Sequence, residues 1–303
     1  ESVGKILTQR AGGLAIDTDH GALCPGKAAY LHRHRRQLYT RPMAAEPLRS
    51  LPAEADDPFR YGWRLKRVRL PNGEEDVVEI PLTLEDLLDP QLGDQVTQGG
   101  PHYTVALLLG MLLRSHYEKR EDIFVAGDMK MLWGIPGLQE PAPDLAVIPG
   151  IRDKREAANQ SSFDVTREGT RPCLIIEVAS PKDAEVRRND YEKKVPIYER
   201  ARIPEYLIAE PPSSAARKRL LWTGYRLGSN GRYQRIEPDP QGRILSETTQ
   251  LLFGVAEDRQ TPQVFDAKTG QRLLTLVEQT EARKAAEAEV ARLREEIERL
   301  RKG

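Results

Sequence analysis

The sequence predicts a mixed α/β fold, with one central mixed sheet flanked by helices and a carboxy-terminal coiled-coil helix behind it. Three observations predict it. Short apolar runs of strand length, bounded by Pro and Gly, recur between residues 123 and 236. Helical stretches separate some of them, the order expected when helices cover a sheet. Residues 276–302 hold neither Pro nor Gly and are dominated by Ala, Glu, Arg and Lys, which predicts one long helix.

The elements follow in chain order. Residues 1–42 keep no helical or strand period, begin at Glu1 and carry a basic stretch at His32–Arg36. They are expected to be a non-native or disordered leader, with Met43 as the natural start, rather than a phosphate- or metal-binding arm. Residues 43–60, rich in Ala, Pro, Glu and Asp, read as a flexible lead-in. The main domain is expected over 61–265. It opens with Trp63–Leu70, which alternates like a half-buried strand, turns at Pro71-Asn72-Gly73 and returns over Glu75–Ile80. Gly99-Gly100-Pro101 then leads into an apolar helix over roughly 102–117. Ile123–Trp133 reads as strand or hairpin, Gly134–Pro143 as loop, Asp144–Ile148 as strand and 151–171 as irregular. Leu174–Val178 is the best buried strand, and a helix over Ala184–Ala201 follows it. Further strands are expected at Glu205–Ala209, Arg219–Leu227 and Arg232–Ile236.

The last segment, 271–303, is an amphipathic helix. Val290 and Ile297 are seven residues apart, as are Ala286, Leu293 and Leu300, interleaved at the a and d spacing of a heptad. About two heptads are too few to be stable alone, so the helix needs a partner copy or the body of the protein. A homodimer or higher homo-oligomer is expected, against a simple solvated helix.

Charge and cysteine content remove several classes. Lys plus Arg equals Asp plus Glu at 46 each, so no overall bias draws the chain to nucleic acid or acidic membrane, although a local basic groove remains compatible with DNA. Cys24 and Cys173 are too few and too distant for a disulfide framework or zinc site. The longest apolar run, Val105–Leu113, is about half a bilayer span. No membrane contact is therefore expected, and a cytoplasmic location is. No Gly-rich loop follows a strand, so no nucleotide cofactor is expected.

Two carboxylates carry the chemistry. Asp144 opens an apolar strand directly after Pro143, and Glu177 lies inside the apolar run 174–178. Burying either charge alone would cost several kcal/mol, so each needs a cation, a donor or a raised pKa. On adjacent strands both could face one pocket and share a hard divalent cation such as Mg2+, which takes oxygen ligands and keeps waters. Capping of nearby backbone, or pairing with arginine, is the alternative.

Pro143-Asp144, about thirty residues, and then Ile176-Glu177-Val178-Ala179 resembles the signature of the PD-(D/E)XK nuclease superfamily. More narrowly, the chain resembles the Uma-type restriction endonuclease family, through a helix with Asp190, Lys194 and Tyr198 four apart and then Ile203-Pro204-Glu205-Tyr206. His102, opening the helix ahead of the Asp strand, matches as well. The likeness covers roughly residues 60–260. It implies a restriction-endonuclease-like core and hydrolysis of DNA phosphodiesters. In that pattern Asp144, Glu177 and the Val178 backbone carbonyl would hold Mg2+, with Mn2+ as substitute. The lysine slot two residues after Glu177 is Ala179, so the resemblance draws the lysine from the following helix. Lys194 fits the spacing, with Lys193 and Lys182 as rivals; without the resemblance, Lys194 would read as an exposed ion pair with Asp190. Pro196 should kink this helix or mark a boundary near Glu192. A catalytically weak or inactive binding or assembly module that oligomerises through its tail is the alternative function.

Overall fold

The computed structural model describes residues 57–181, 183–213 and 218–302. The expected leader 1–42, the lead-in as far as residue 56, and Lys182 lie outside these residues.

A small sheet comes first. Strand β1 (Gly62–Arg69) pairs antiparallel with β2 (Glu75–Pro81), as the alternation and the Asn72-Gly73 turn predict. Strand β3 (Gln95–Val96) joins the other edge of β1. Gly62 is required there. Its φ is +113°, and a Cβ would lie 1.8 Å from the Gln95 carbonyl oxygen.

Helix α1 (Gly100–His116) starts with Pro101 in its first turn, where the missing N–H costs nothing. Behind it stands a six-stranded sheet built from β4 (Ile123–Ala126), β6 (Leu145–Pro149), β8 (Leu174–Val178), β9 (Glu205–Glu210), β10 (Leu221–Leu227) and β11 (Tyr233–Arg235). The spatial order is β11-β10-β9-β8-β6-β4, with β8 and β9 parallel and all other neighbours antiparallel. This is the expected central mixed sheet flanked by helices.

Alternation along the strands divides the core. Leu174, Ile176 and Val178 pack with Leu109 and Leu113 of α1 on one face. Ile175 and Ala179 share the other face with Tyr198, Tyr206, Phe163 and Trp133. Odd-numbered residues of β8 and even-numbered residues of β6 thus point to one side, and that parity carries Glu177 and Asp144 with it.

The structure differs from expectation in three places. Ile123–Trp133 is not a hairpin. β4 pairs with β6, while β5 (Lys130–Leu132) pairs in parallel with β7 (Ser162–Asp164), and the chain turns between them at Asp128, with φ of +49°. The stretch 151–171 is more regular than expected. It holds α2 (Lys154–Ala158) and α3 (Val165–Glu168), capped by the Asp153 and Asp164 carboxylates, each accepting two backbone N–H bonds. Beyond residue 236 a separate sheet, β12 (Ile244–Ser246), β13 (Leu251–Val255) and β14 (Pro262–Asp266), brings Phe253 against Trp222 with ring centroids 5.3 Å apart.

The helix expected over 184–201 has three parts. α4 (Ala184–Arg188) runs into a wider π-helical turn, Asn189–Lys193, and continues as α5 (Lys194–Arg200). The wide turn lies just before Pro196, whose missing donor and bulky ring disfavour a regular i→i−4 ladder at that point. The final helix, α6 (Leu276–Lys302), keeps its expected bounds and buries no residue. Its start is a capping box in which Thr275 N donates to Glu278 Oε2 at 2.8 Å and Glu278 N to Thr275 Oγ1 at 3.3 Å. Gln279 ties it to α1 through a 2.7 Å bond from Nε2 to Ser115 Oγ.

Candidate active site

Asp144 stands one residue before β6 and Glu177 within β8, and the two strands are antiparallel neighbours with Leu145 opposite Ile176. The backbone therefore delivers both carboxylates to one place. Asp144 N donates to Glu177 Oε2 at 3.4 Å, and Val178 N donates to Asp144 Oδ2 at 2.6 Å. Both side chains are buried.

The helical segment supplies the cation. Lys194 Nζ lies 2.9 Å from Glu177 Oε2 and 2.9 Å from Asp190 Oδ1. Asp190 is itself buried, so this is no exposed surface pair. Four residues on, Tyr198 Oη donates to Glu177 Oε1 at 2.5 Å. Asp190, Lys194 and Tyr198 thus share one stripe of the helix. Tyr206, from β9, braces the π-turn by donating to the Asp190 carbonyl at 2.8 Å. A π-turn moves the helix axis relative to a regular ladder, and such turns recur at functional sites.

His102, at the start of α1, closes the cluster with Nε2 3.2 Å from Asp144 Oδ2. Its Nδ1 is buried without a hydrogen-bond partner among the described residues. Lys193 is exposed and makes no contact with the two carboxylates. Of Lys193 and Lys194, the two candidate lysines among the described residues, Lys194 is the one placed in the cluster.

Three carboxylates share the Lys194 ammonium and the His102 imidazole here, and the titration follows from that crowding of acids. Burial pushes Glu177 up to about 8, against the opposing pull of Lys194. Burial would also raise Asp144, but His102, Lys194 and the Val178 amide hold it below the ordinary carboxylate range. Burial raises Asp190 despite Lys194. Lys194 is moved above its ordinary value because Asp190 and Glu177 outweigh its desolvation. The opposite directions of Asp144 and Glu177 belong to one coupled system that also includes Asp190.

Asp128 was not singled out from sequence. It sits at the turn after β4, with its N–H donating to the Pro143 carbonyl at 3.1 Å. Partial burial and the Asp144 charge raise its pKa, which places a further carboxyl beside the cluster. A polar Gly-Asp pair between two apolar strands was the available signal, and it reads like any turn.

The donors suit a hard cation in kind. Asp144 and Glu177 offer carboxylate oxygens, the donors a hard cation takes. Among the described residues, no group of three or more His, Cys, Asp and Glu is arranged as a metal cage. Two carboxylates with waters completing the shell is, however, the arrangement Mg2+ commonly accepts. Among the same residues, no helix is long and apolar enough to cross a membrane.

The model of the Uma2 family, described as "Putative restriction endonuclease", matches residues 84–272 of this 303-residue chain. No curated protein matches. Among solved structures, the chain is similar to a protein described as "a putative nuclease belonging to DUF820" from Anabaena variabilis. The two share 13% identity at a TM-score of 0.38, over 55% of this chain and 90% of the other.

Proposed function

The chain belongs to the Uma2 restriction endonuclease family, and from that premise we propose that it hydrolyses DNA phosphodiesters at a PD-(D/E)XK-type site formed by Asp144, Glu177 and Lys194. The observation that carries the reading is the 2.9 Å contact between Lys194 Nζ and Glu177 Oε2, because it returns from a helix the cation missing at Ala179. An assembly module without turnover would be favoured had no lysine reached the carboxylates.

Asp144, Glu177 and the Val178 carbonyl would hold one Mg2+, or Mn2+ in its place. Such an ion, when bound, lowers the pKa of a coordinated water and offsets charge developing on a phosphate. Lys194 stays protonated beside Glu177 and Asp190, so it can donate a hydrogen bond to a reacting water or to a phosphate oxygen. Tyr198 fixes the Glu177 rotamer by bonding one carboxylate oxygen. The Val178 amide and His102 fix Asp144 in the same way. Holding these groups before substrate arrives removes reorganisation from the reaction step.

Calorimetric titration with Mg2+ and Mn2+ tests the ligand set. Wild type should bind one ion per chain, and Asp144→Asn and Glu177→Gln should each weaken binding at least about tenfold. Unchanged affinity in both variants would remove the site from these residues.

A further inference from the structure

Among the described residues, nothing lies on the apolar stripe of the carboxy-terminal helix. Val290, Leu293, Ile297 and Leu300 are 46%, 44%, 51% and 77% exposed, although they repeat at heptad a and d spacing. A stripe of this kind on a helix that buries no residue is an unfilled interface. We infer that it is a parallel, in-register, two-stranded coiled coil with a second copy of this chain, starting at Ala286.

Two features of the sequence choose this occupant. The a positions are β-branched, Val290 and Ile297, and the d positions are Leu293 and Leu300. That combination fits two parallel strands, because β-branched side chains pack well in the a layers of a parallel dimer. The flanking charges then choose the direction. Glu289 and Glu296 occupy g positions, and Arg294 and Arg301 occupy e positions five residues further on. In a parallel pair, each g residue faces the partner's e residue five positions along, so Glu289 meets Arg294 and Glu296 meets Arg301, twice each by symmetry. An antiparallel pair sets g against g and e against e. Glutamates would then face glutamates, and Arg294 and Arg301 would face arginine.

The charges are placed for this use. Among the described residues, Arg294, Glu296 and Arg301 form no ion pair within the chain, whereas Arg283–Glu287, Arg292–Glu289 and Lys302–Glu298 do. The amino-terminal limit also follows. Gln279, the next d residue back, is bonded to Ser115 of the body, and Arg283 at the preceding a position would put like charges together across the seam. The inference does not depend on the chemistry at the Asp144–Glu177 cluster.

Sedimentation of the full chain over a concentration series, together with cross-linking of Leu300→Cys, tests it. Wild type should pass from monomer to dimer with rising concentration, and Leu293→Glu with Ile297→Glu should stay monomeric while the far-ultraviolet spectrum of the folded body persists. Under mild oxidation Leu300→Cys should form a covalent dimer, because paired d positions in register bring Cα atoms within about 7 Å. Wild type, with its own Cys24 and Cys173, should not. A wild type that is monomeric throughout, or a dimer that survives the double substitution, overturns the interface. A dimer that the double substitution dissolves, but whose Leu300→Cys form does not cross-link, overturns the parallel register.

Discussion

Lys194 reaches Glu177 from the helix that follows its strand, with Nζ 2.9 Å from Oε2 and the same ammonium 2.9 Å from Asp190 Oδ1. The ammonium thus meets the strand's carboxylate from the following helix, while residue 179, two after Glu177, is Ala. Pairing of this kind is strongly directional in consequence, since removing one member leaves a buried charge unpaired, at about 3–5 kcal/mol.

The raised Glu177 predicts a pH dependence of metal-free stability. Its folded pKa is about 8 against an ordinary value of 4.5, so the folded state binds the extra proton between those limits. The associated stability is complete below the ordinary glutamate range and is lost as pH rises through about 8, at no more than about 1.4 kcal/mol per pH unit for one proton. Glu177→Gln imitates the protonated form and should be spared this loss. Urea unfolding in chelator should show the variant gaining on wild type as pH rises through that window. A constant difference across it would mean that Glu177 is ionised throughout.

Tyr198→Phe deletes the donor to Glu177 Oε1 and leaves that oxygen buried. The expected cost is about 1–3 kcal/mol, with the Glu177 transition displaced further upward. Denaturation of the metal-free variant measures the first, and its pH profile the second. A neutral substitution would show that the tyrosine merely fills space.

Glu205 anchors β9 to the end of β12, in the β12–β14 sheet, and to the residues that follow it. Its carboxylate accepts from Ser246 Oγ, Thr248 Oγ1, the Glu247 and Thr248 amides and Arg226 Nε, at 2.5 to 3.1 Å. Burial alone would raise its pKa, but these donors lower it. Its contribution is therefore present above the ordinary glutamate range and is lost as pH falls through the depressed value. Glu205→Ala should cost about 1–3 kcal/mol by chemical denaturation, because it removes the acceptor of the buried Ser246 hydroxyl and of the Glu247 and Thr248 amides, while Arg226 keeps Glu247 and the Leu245 carbonyl. A loss under about 1 kcal/mol would reduce the network to a surface ion pair.

What could be read from sequence followed the physics of each signal. Leu174–Val178 was legible because a fully apolar run leaves few alternatives, and Leu276–Lys302 because nothing in it breaks a helix. The pairing of β5 with β7 was not legible, since three-residue strands carry too little periodicity to choose a distant partner. β12 shares that shortness, whereas β13 and β14 have five residues each but carry Gly254 and Pro262 and lie among turn residues. At the site, Asp144 and Glu177 announced themselves as charges inside apolar strands. Lys194 could not, because a Lys four residues after an Asp is an ordinary exposed pair until the burial of Asp190 is known. Asp128 was hidden in a turn whose φ of +49° only the folded chain reveals.

The central claim is that Lys194 works on the reaction while the two carboxylates hold the ion. Cleavage of a labelled DNA duplex with Mg2+, measured alongside ion binding for wild type, Lys194→Ala and Lys193→Ala, tests it most directly. The account predicts that Lys194→Ala loses cleavage by at least about a hundredfold while retaining the ion, and that Lys193→Ala resembles wild type. A wild type that binds the ion yet cleaves no DNA, or a Lys193→Ala variant as impaired as Lys194→Ala, would contradict it.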